Sequence, residues 1–310
     1  MIVVLAGGVG AARFLQGLVQ VVPQNQITVI GNTGDDRDFY GLHVSPDLDI
    51  VTYTLAGVVD ETTGWGIRGD TYHSMSQLTR YGNDDWFMLG DRDLATHIHR
   101  TSWLKQGRTL SEVTADLRQK FGLDFCLIPM TNQPVATHIR TPIGLLHFQE
   151  YMVKRHCADE VQGVEFIGAD KAVPAPGVLD AIKTADAILL APSNPIVSIS
   201  SILAVPGIHD TLHEASGMVV AVSPIIGGAP VKGPADKLMS GMGMEVSAVG
   251  VARCYRDFLD VMVIDEQDAR LAVEIEDLGI PTVTTNTLLR DNAARAALAR
   301  TVLRAAGIDY

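Results

Sequence analysis

Cysteine is scarce: Cys126, Cys157 and Cys254 are the only three, odd in number, far apart and never paired as ligands. That argues against a disulfide framework or a thiolate metal site and leads to the expectation of a reducing, cytoplasmic setting. Long apolar runs are missing too. The most hydrophobic region, AILLAPSNPIVSISSILAVPGI, is broken by Ser, Asn and Pro, so no membrane span is expected. The opening MIVVLAGG lacks a basic segment, and its apolar run is too short for a secretory signal. Positive charge is also in short supply, with 24 Lys and Arg against 36 Asp and Glu and a net charge of −12. A field of that sign repels nucleic acid and anionic membrane, so an anionic ligand must be held locally by amides, a few cations or a metal ion. No internal repeat or low-complexity linker interrupts the 310 residues. Their 47% apolar content is enough to bury a sizeable core.

What is present is an alternation of apolar runs and helical periodicity. Ile2–Ala6 reads as a buried strand, followed by a glycine turn and a helix from about Ala11 to Val22. ITVIG reads as a second strand. Helical spacing covers Thr71–Tyr81, Asp93–Lys105 and Leu110–Phe121, and a β-like patch follows in FCLIPM, ATHIRT and GLLHFQEYMV. Strand-helix alternation then resumes through VEFIGA, AILLAP, MVVAVS, DVMVID and PTVTT, with helices over Glu266–Leu278 and about Asp291–Ala306. The expectation is a single α/β domain over 1–310: a doubly wound, mostly parallel, Rossmann-like sheet. Residues of about 62–160 read as a largely helical insertion covering the ligand edge.

The first turn carries Gly7, Gly8 and Gly10 between strand and helix, where backbone amides face an anion. It is no dinucleotide fingerprint, because Arg13 stands where the third glycine belongs and the second strand ends in Asn32 rather than an acid. A Walker A lysine is missing as well. Gly7, Gly8, Gly10 and Arg13 therefore read as a phosphate cradle of another kind. Two acidic turns follow, Asp35-Asp36 in GNTGDD and Asp47-Leu-Asp49 in SPDLD. Carboxylates gathered beside a phosphate repel it unless a cation lies between, and Mg²⁺ is the usual solution. Asp36, Asp47 and Asp49 are thus the expected metal ligands. In GDRDLATHIHRT, Arg92 is expected to offset phosphate charge, while His97 and His99 are two apart and unsuited to a shared metal. Ser193 and Asn194, in APSNP, follow a strand and read as a second anion or nucleotide contact; GGAPVKGPADK adds Lys232 and Lys237 in a similar loop.

Taken in order, AGGVGAARFL, GNTGDD, SPDLDIVTYTLAG, GWGIRGDTYHSM, LGDRDLATHIHRT, IPMTNQPVATHI, HFQEYMV, LAPSNPIVSISSILAVPGI and SPIIGGAPVKGPADKLM resemble the 2-phospho-L-lactate transferase family of coenzyme F-420 biosynthesis. The resemblance spans nearly the whole chain. It implies a Mg²⁺-dependent, homodimeric transferase acting on two small molecules. One is a guanosine diphosphate ester of lactate, enolpyruvate or glycerate; the other is the deazaflavin Fo, whose ribityl hydroxyl displaces GMP. It also implies a deazaflavin contact at Asp49, with Asp47 and Arg92 joining it in catalysis. A second deazaflavin contact falls on Met88, where the family pattern has a basic residue and this chain has none. The rival expectation is a nucleotide-sugar-binding regulator of the gluconeogenesis-factor family. It shares the glycine turn, but this chain runs DDRDFYGLHVSPDLD, without a glycine- and serine-rich stretch after the acidic pair.

Overall fold

The computed structural model describes all residues, 1–310. Seven apolar segments form the central sheet: β1 (Ile2–Ala6), β2 (Ile27–Gly31), β3 (Cys126–Pro129), β4 (Ala187–Leu190), β5 (Met218–Val222), β6 (Val261–Asp265) and β7 (Thr282–Thr285). Their order is β3-β2-β1-β4-β5-β6-β7, and every pairing is parallel. Val4 sits between Val29 of β2 and Leu189 of β4, which fixes the central register. β1 is apolar at every position because both faces are covered. Val3 and Leu5 enter one core while Ile2, Val4 and Ala6 enter the other, as the two-residue period of a strand requires. The sheet is the doubly wound, Rossmann-like one expected.

Three helices position the site: α1 (Gly8–Leu18), α2 (Pro46–Leu55) and α3 (Asp91–Lys105). α1 starts at Gly8 rather than near Ala11, because the glycine turn is itself the helix start; Gly8 has φ +74°, a left-handed conformation natural to glycine. α1 packs between α2 and the C-terminal helix Asn292–Ala305. Gly10 has a packing role besides the one its place in the turn implies. A Cβ there would lie 2.2 Å from the Pro192 carbonyl oxygen, so its hydrogen lets α1 approach the loop after β4. Gly10→Ala is expected to destabilise the fold by about 1–3 kcal/mol through this overpacking, as read by urea denaturation. A cost within error of zero would show that the loop yields freely.

The stretch 62–160 is divided rather than being one insertion. It contains β3, which pairs with β2 as the sheet's edge strand. Its remainder holds α3, the helices His73–Arg80 and Leu110–Lys120, and two strands of a small antiparallel sheet: Ala136–Thr141 pairs with Gly144–His147 and with Gly163–Ile167. β3 is four residues long, too short for its period to separate it from the neighbouring small sheet. After His147 the expected strand gives way to a wide helical turn at Glu150–Lys154, which buries Phe148 and Tyr151 on one side. No helix is long and apolar enough to cross a membrane.

Candidate functional site

In this strand order the direction of winding reverses between the parallel neighbours β1 and β4, and the crevice beyond their carboxyl ends is where doubly wound sheets take ligands. A cavity of about 530 Å³ opens there. Gly7–Gly10 follow β1 into it, and Pro192–Asn194 follow β4. The starts of α2 and α3 supply acids, Trp65 and Trp86–Leu89 form an apolar wall, and loops bearing Lys232 and Arg290 complete the rim. Such a volume suits a small-molecule ligand of drug-like size or somewhat larger.

Two amides of the first turn already have partners within the protein. Gly7 N donates to Ser193 Oγ at 3.3 Å, and the Asp47 carboxylate accepts from the Gly8 amide. A Cβ on Gly7 would meet Asp47 Oδ2 and Ser198 Cβ at 2.7 Å each. Gly7, Gly8, Gly10 and Arg13 all line the cavity, and Asp47, an acid of the protein itself, rests at the N-terminus of α1, where helix amides favour negative charge. Asn194 caps the turn after β4, its Oδ1 accepting from Ile196 N at 2.9 Å, and Ser193 faces the same cavity. Asn32, which the sequence reading used only as a missing acid, ties these parts together. Its Nδ2 donates to Asp47 at 2.9 Å and its Oδ1 accepts from Gly34 N and Ser201 Oγ at 2.7 and 2.6 Å.

The three expected metal ligands do not converge. Asp47 and Asp49 lie two apart in the first turn of a helix, roughly 200° around its axis, and so face different ways. Asp36 turns from the cavity to accept from Ser45 Oγ at 2.7 Å and to meet His43 Nε2 at 3.1 Å. No group of three or more His, Cys, Asp or Glu side chains is arranged to hold a metal ion by itself. Asp35 takes the place expected for Asp36. It is buried, lines the cavity with Asp47, and leaves Oδ1 without a hydrogen-bond partner. Burial, then the facing Asp47, pushes the Asp35 carboxyl well above its ordinary range, and burial raises Asp47 to about 6. Two buried carboxylates that resist ionising together, one with a free oxygen, form a donor pair fitted to a hard divalent cation, with waters and ligand phosphates as its remaining partners.

Asp49 belongs to a second, buried network. Arg100, only 1% exposed, donates Nη1 to Asp49 Oδ2 at 3.1 Å and Nη2 to Asp49 Oδ1. Arg100 Nη1 also lies 3.1 Å from His97 Nδ1, which must accept, since a guanidinium has no lone pair to offer. His97 Nε2 lies 3.1 Å from Asp93 Oδ1, and Tyr53 OH donates to that same oxygen at 2.7 Å. Asp49, Tyr53, Asp93 and His97 all line the cavity, and Arg100 braces them from behind. Sequence reasoning missed Arg100. Its signal was the i, i+3 and i, i+4 spacing of Asp93, His97 and Arg100 on one face of α3. Arg92 is not brought to the cavity with the others: it is exposed, its amide held by Asp70 and its side chain directed to the Arg68 carbonyl. Met88 does line the cavity, beside Trp86 and Phe87, and Phe87 stacks on Phe39 with centroids 3.8 Å apart.

Against this geometry, residues 2–298 match the family model described as 2-phospho-L-lactate transferase CofD. The chain belongs to that family. A phosphoenolpyruvate transferase from Kitasatospora aureofaciens is 47% identical, over 97% of this chain and 96% of the relative. A 2-phospho-L-lactate transferase from Methanococcoides burtonii is 40% identical, over 93% and 94%. Among solved structures, a Bacillus halodurans protein has a TM-score of 0.65 at 18% identity, covering 97% of this chain and 98% of its own. That last likeness concerns the fold alone. Family membership makes the chain a transferase.

Proposed function

We propose that this transferase moves a phospho-three-carbon-acid group from a guanosine diphosphate ester to the terminal ribityl hydroxyl of the deazaflavin Fo, releasing GMP and forming a coenzyme F-420 precursor. One observation carries the reading: a single cavity sets the buried pair Asp35 and Asp47 on one side and an apolar, aromatic wall on the other. The pair would hold Mg²⁺, which supplies charge neutralisation at the donor diphosphate. The wall of Trp86, Phe87 and Met88 offers a flat ring the low-polarity surface it stacks on, so an uncharged Met88 is compatible with deazaflavin binding.

Transfer of this kind depends on positioning and electrostatics more than on a protein nucleophile. The hydroxyl oxygen forms the new bond to the phosphorus bearing the three-carbon acid, its proton is released, and the bond to GMP breaks. Asp49 orients that hydroxyl, held in one direction by the two-point grip of Arg100. Ser193 and Asn194 contact the nucleotide from the loop after β4, beside the glycine turn. Similarity to a relative named phosphoenolpyruvate transferase makes the enolpyruvate ester the donor to offer first. Mass spectrometry of the purified chain with Fo, Mg²⁺ and each candidate ester should show a product heavier than Fo by one phospho-acid group, together with GMP. Recovery of unchanged Fo with every ester would overturn the reading, and tight binding of a UDP-sugar in that case would favour a regulatory protein.

A further inference from the structure

Three cations line the cavity without an ion-paired carboxylate, Arg13, Lys232 and Arg290, and the first two lie near enough for the charge of one to act on the other. Arg13 projects from α1, and Lys232 sits in the exposed loop after Pro230; both line the cavity, and neither forms an ion pair with a carboxylate of the chain. They are brought together by geometry rather than by an acid between them. Val9 and Arg13 are four apart and share one face of α1. Lys232 lies over that face: a Cβ built on Gly64 would be 2.6 Å from its Nζ and 3.9 Å from Val9 Cγ1. The ammonium donates to the Thr63 carbonyl at 3.2 Å, which leaves two of its three N–H groups free. Partial burial, and then the Arg13 charge, push the Lys232 ammonium below its ordinary value. A chain with a net charge of −12 thus keeps two facing cations uncompensated at a ligand cavity.

We propose that Arg13 and Lys232 form the subsite that binds the carboxylate of the donor's three-carbon acid. The inference rests on the donor reading above and assigns a partner to one group of that substrate. Asp47 sits at the N-terminus of α1 on the Gly8 amide, which places the diphosphate with the Asp35 and Asp47 pair at that end of the helix. Arg13 sits about 6 Å further along the axis than Val9, beyond the diphosphate rather than upon it. Phosphoenolpyruvate and 2-phospho-L-lactate, the acids in the relatives' names, both carry a carboxylate on the carbon that bears the phosphoester. A guanidinium and an ammonium converging on that group recognise an acid whichever of the two it is. Selection between them then falls to the apolar surroundings of the three-carbon chain.

Lys232→Met tests this without disturbing a buried side chain. GDP has the diphosphate but no such carboxylate, so its affinity by calorimetry should change less than about twofold, whereas the ester should bind about tenfold or more weakly. The KM for the ester should rise similarly, and Lys232→Arg should recover most of the loss. Arg13→Gln should repeat the pattern. Equal weakening of GDP and ester would assign the two cations to the diphosphate and overturn the proposal, as would unchanged binding of both. Calorimetry gives the ester-versus-GDP difference even if no Fo is converted, so failure of the transfer reading is seen separately.

Discussion

Replacing Arg100 with Met is expected to destabilise the native state by about 3–5 kcal/mol, the cost of leaving a buried charge without its partner. Asp49 would lose its only cation and remain 7% exposed beside Asp93 and His97. His97 would also lose the donor that sets its tautomer, loosening the orientation toward Asp93. A buried pair need not be net stabilising against an apolar replacement of both partners. The double variant Arg100→Met with Asp49→Leu should therefore regain a large part of the loss, although its Fo binding should be impaired. Urea denaturation of the wild type, the single variant and the double variant measures this directly. A single-variant cost below about 1 kcal/mol, the level of exposed pairs, would show that solvent reaches Arg100 and that the brace is not buried.

The largest effect on activity is expected at Asp47. Asp47→Asn should lower transfer by about 100-fold or more, the scale found when one electrostatic contributor to a transition state is removed. The reason is its double engagement, on the Gly8 amide and against Asp35. Its pH signature separates this from a folding defect. The native carboxyl titrates at about 6 against an ordinary 3.8, so the folded state binds the proton more tightly. Its stabilising contribution is complete below 3.8 and is lost as pH rises through about 6. Without divalent cation, the wild type should lose stability across that interval, and Asp47→Asn should lose less. Mg²⁺ should restore the wild type near neutral pH and do little for the variant. Thermal melts over pH, with and without Mg²⁺, decide it; identical pH profiles for the two proteins would remove Asp47 from the carboxylate pair.

The residues differ in how far their roles could be read from local pattern. Ile2–Ala6, with five apolar residues before a glycine turn, identifies a two-sided buried strand, because only a covered parallel sheet accommodates such a run. Ser193 and Asn194 were legible for a similar reason: a strand ending in APSNP places a turn at the carboxyl edge of the sheet. Asp36 and Asp35 are adjacent in sequence, and nothing in GNTGDD distinguishes the one that faces His43 from the one that faces the cavity. Arg92 and Arg100 differ by eight residues on α3; the first is exposed, while the second reaches an acid on α2, a pairing that no spacing rule contains.

The sequence by itself determined the alternation that builds a doubly wound sheet, the glycine turn after its first strand, and the family to which the chain belongs. Strand periodicity and glycine's conformational freedom are local properties, written in a few neighbouring residues. The tertiary structure decided which anion sits on the first helix, which carboxylates form a pair, and which cations stay unpaired. Those outcomes depend on helix rotation and on contacts between residues as distant as Val9 and Lys232, where burial and charge act through space rather than along the chain.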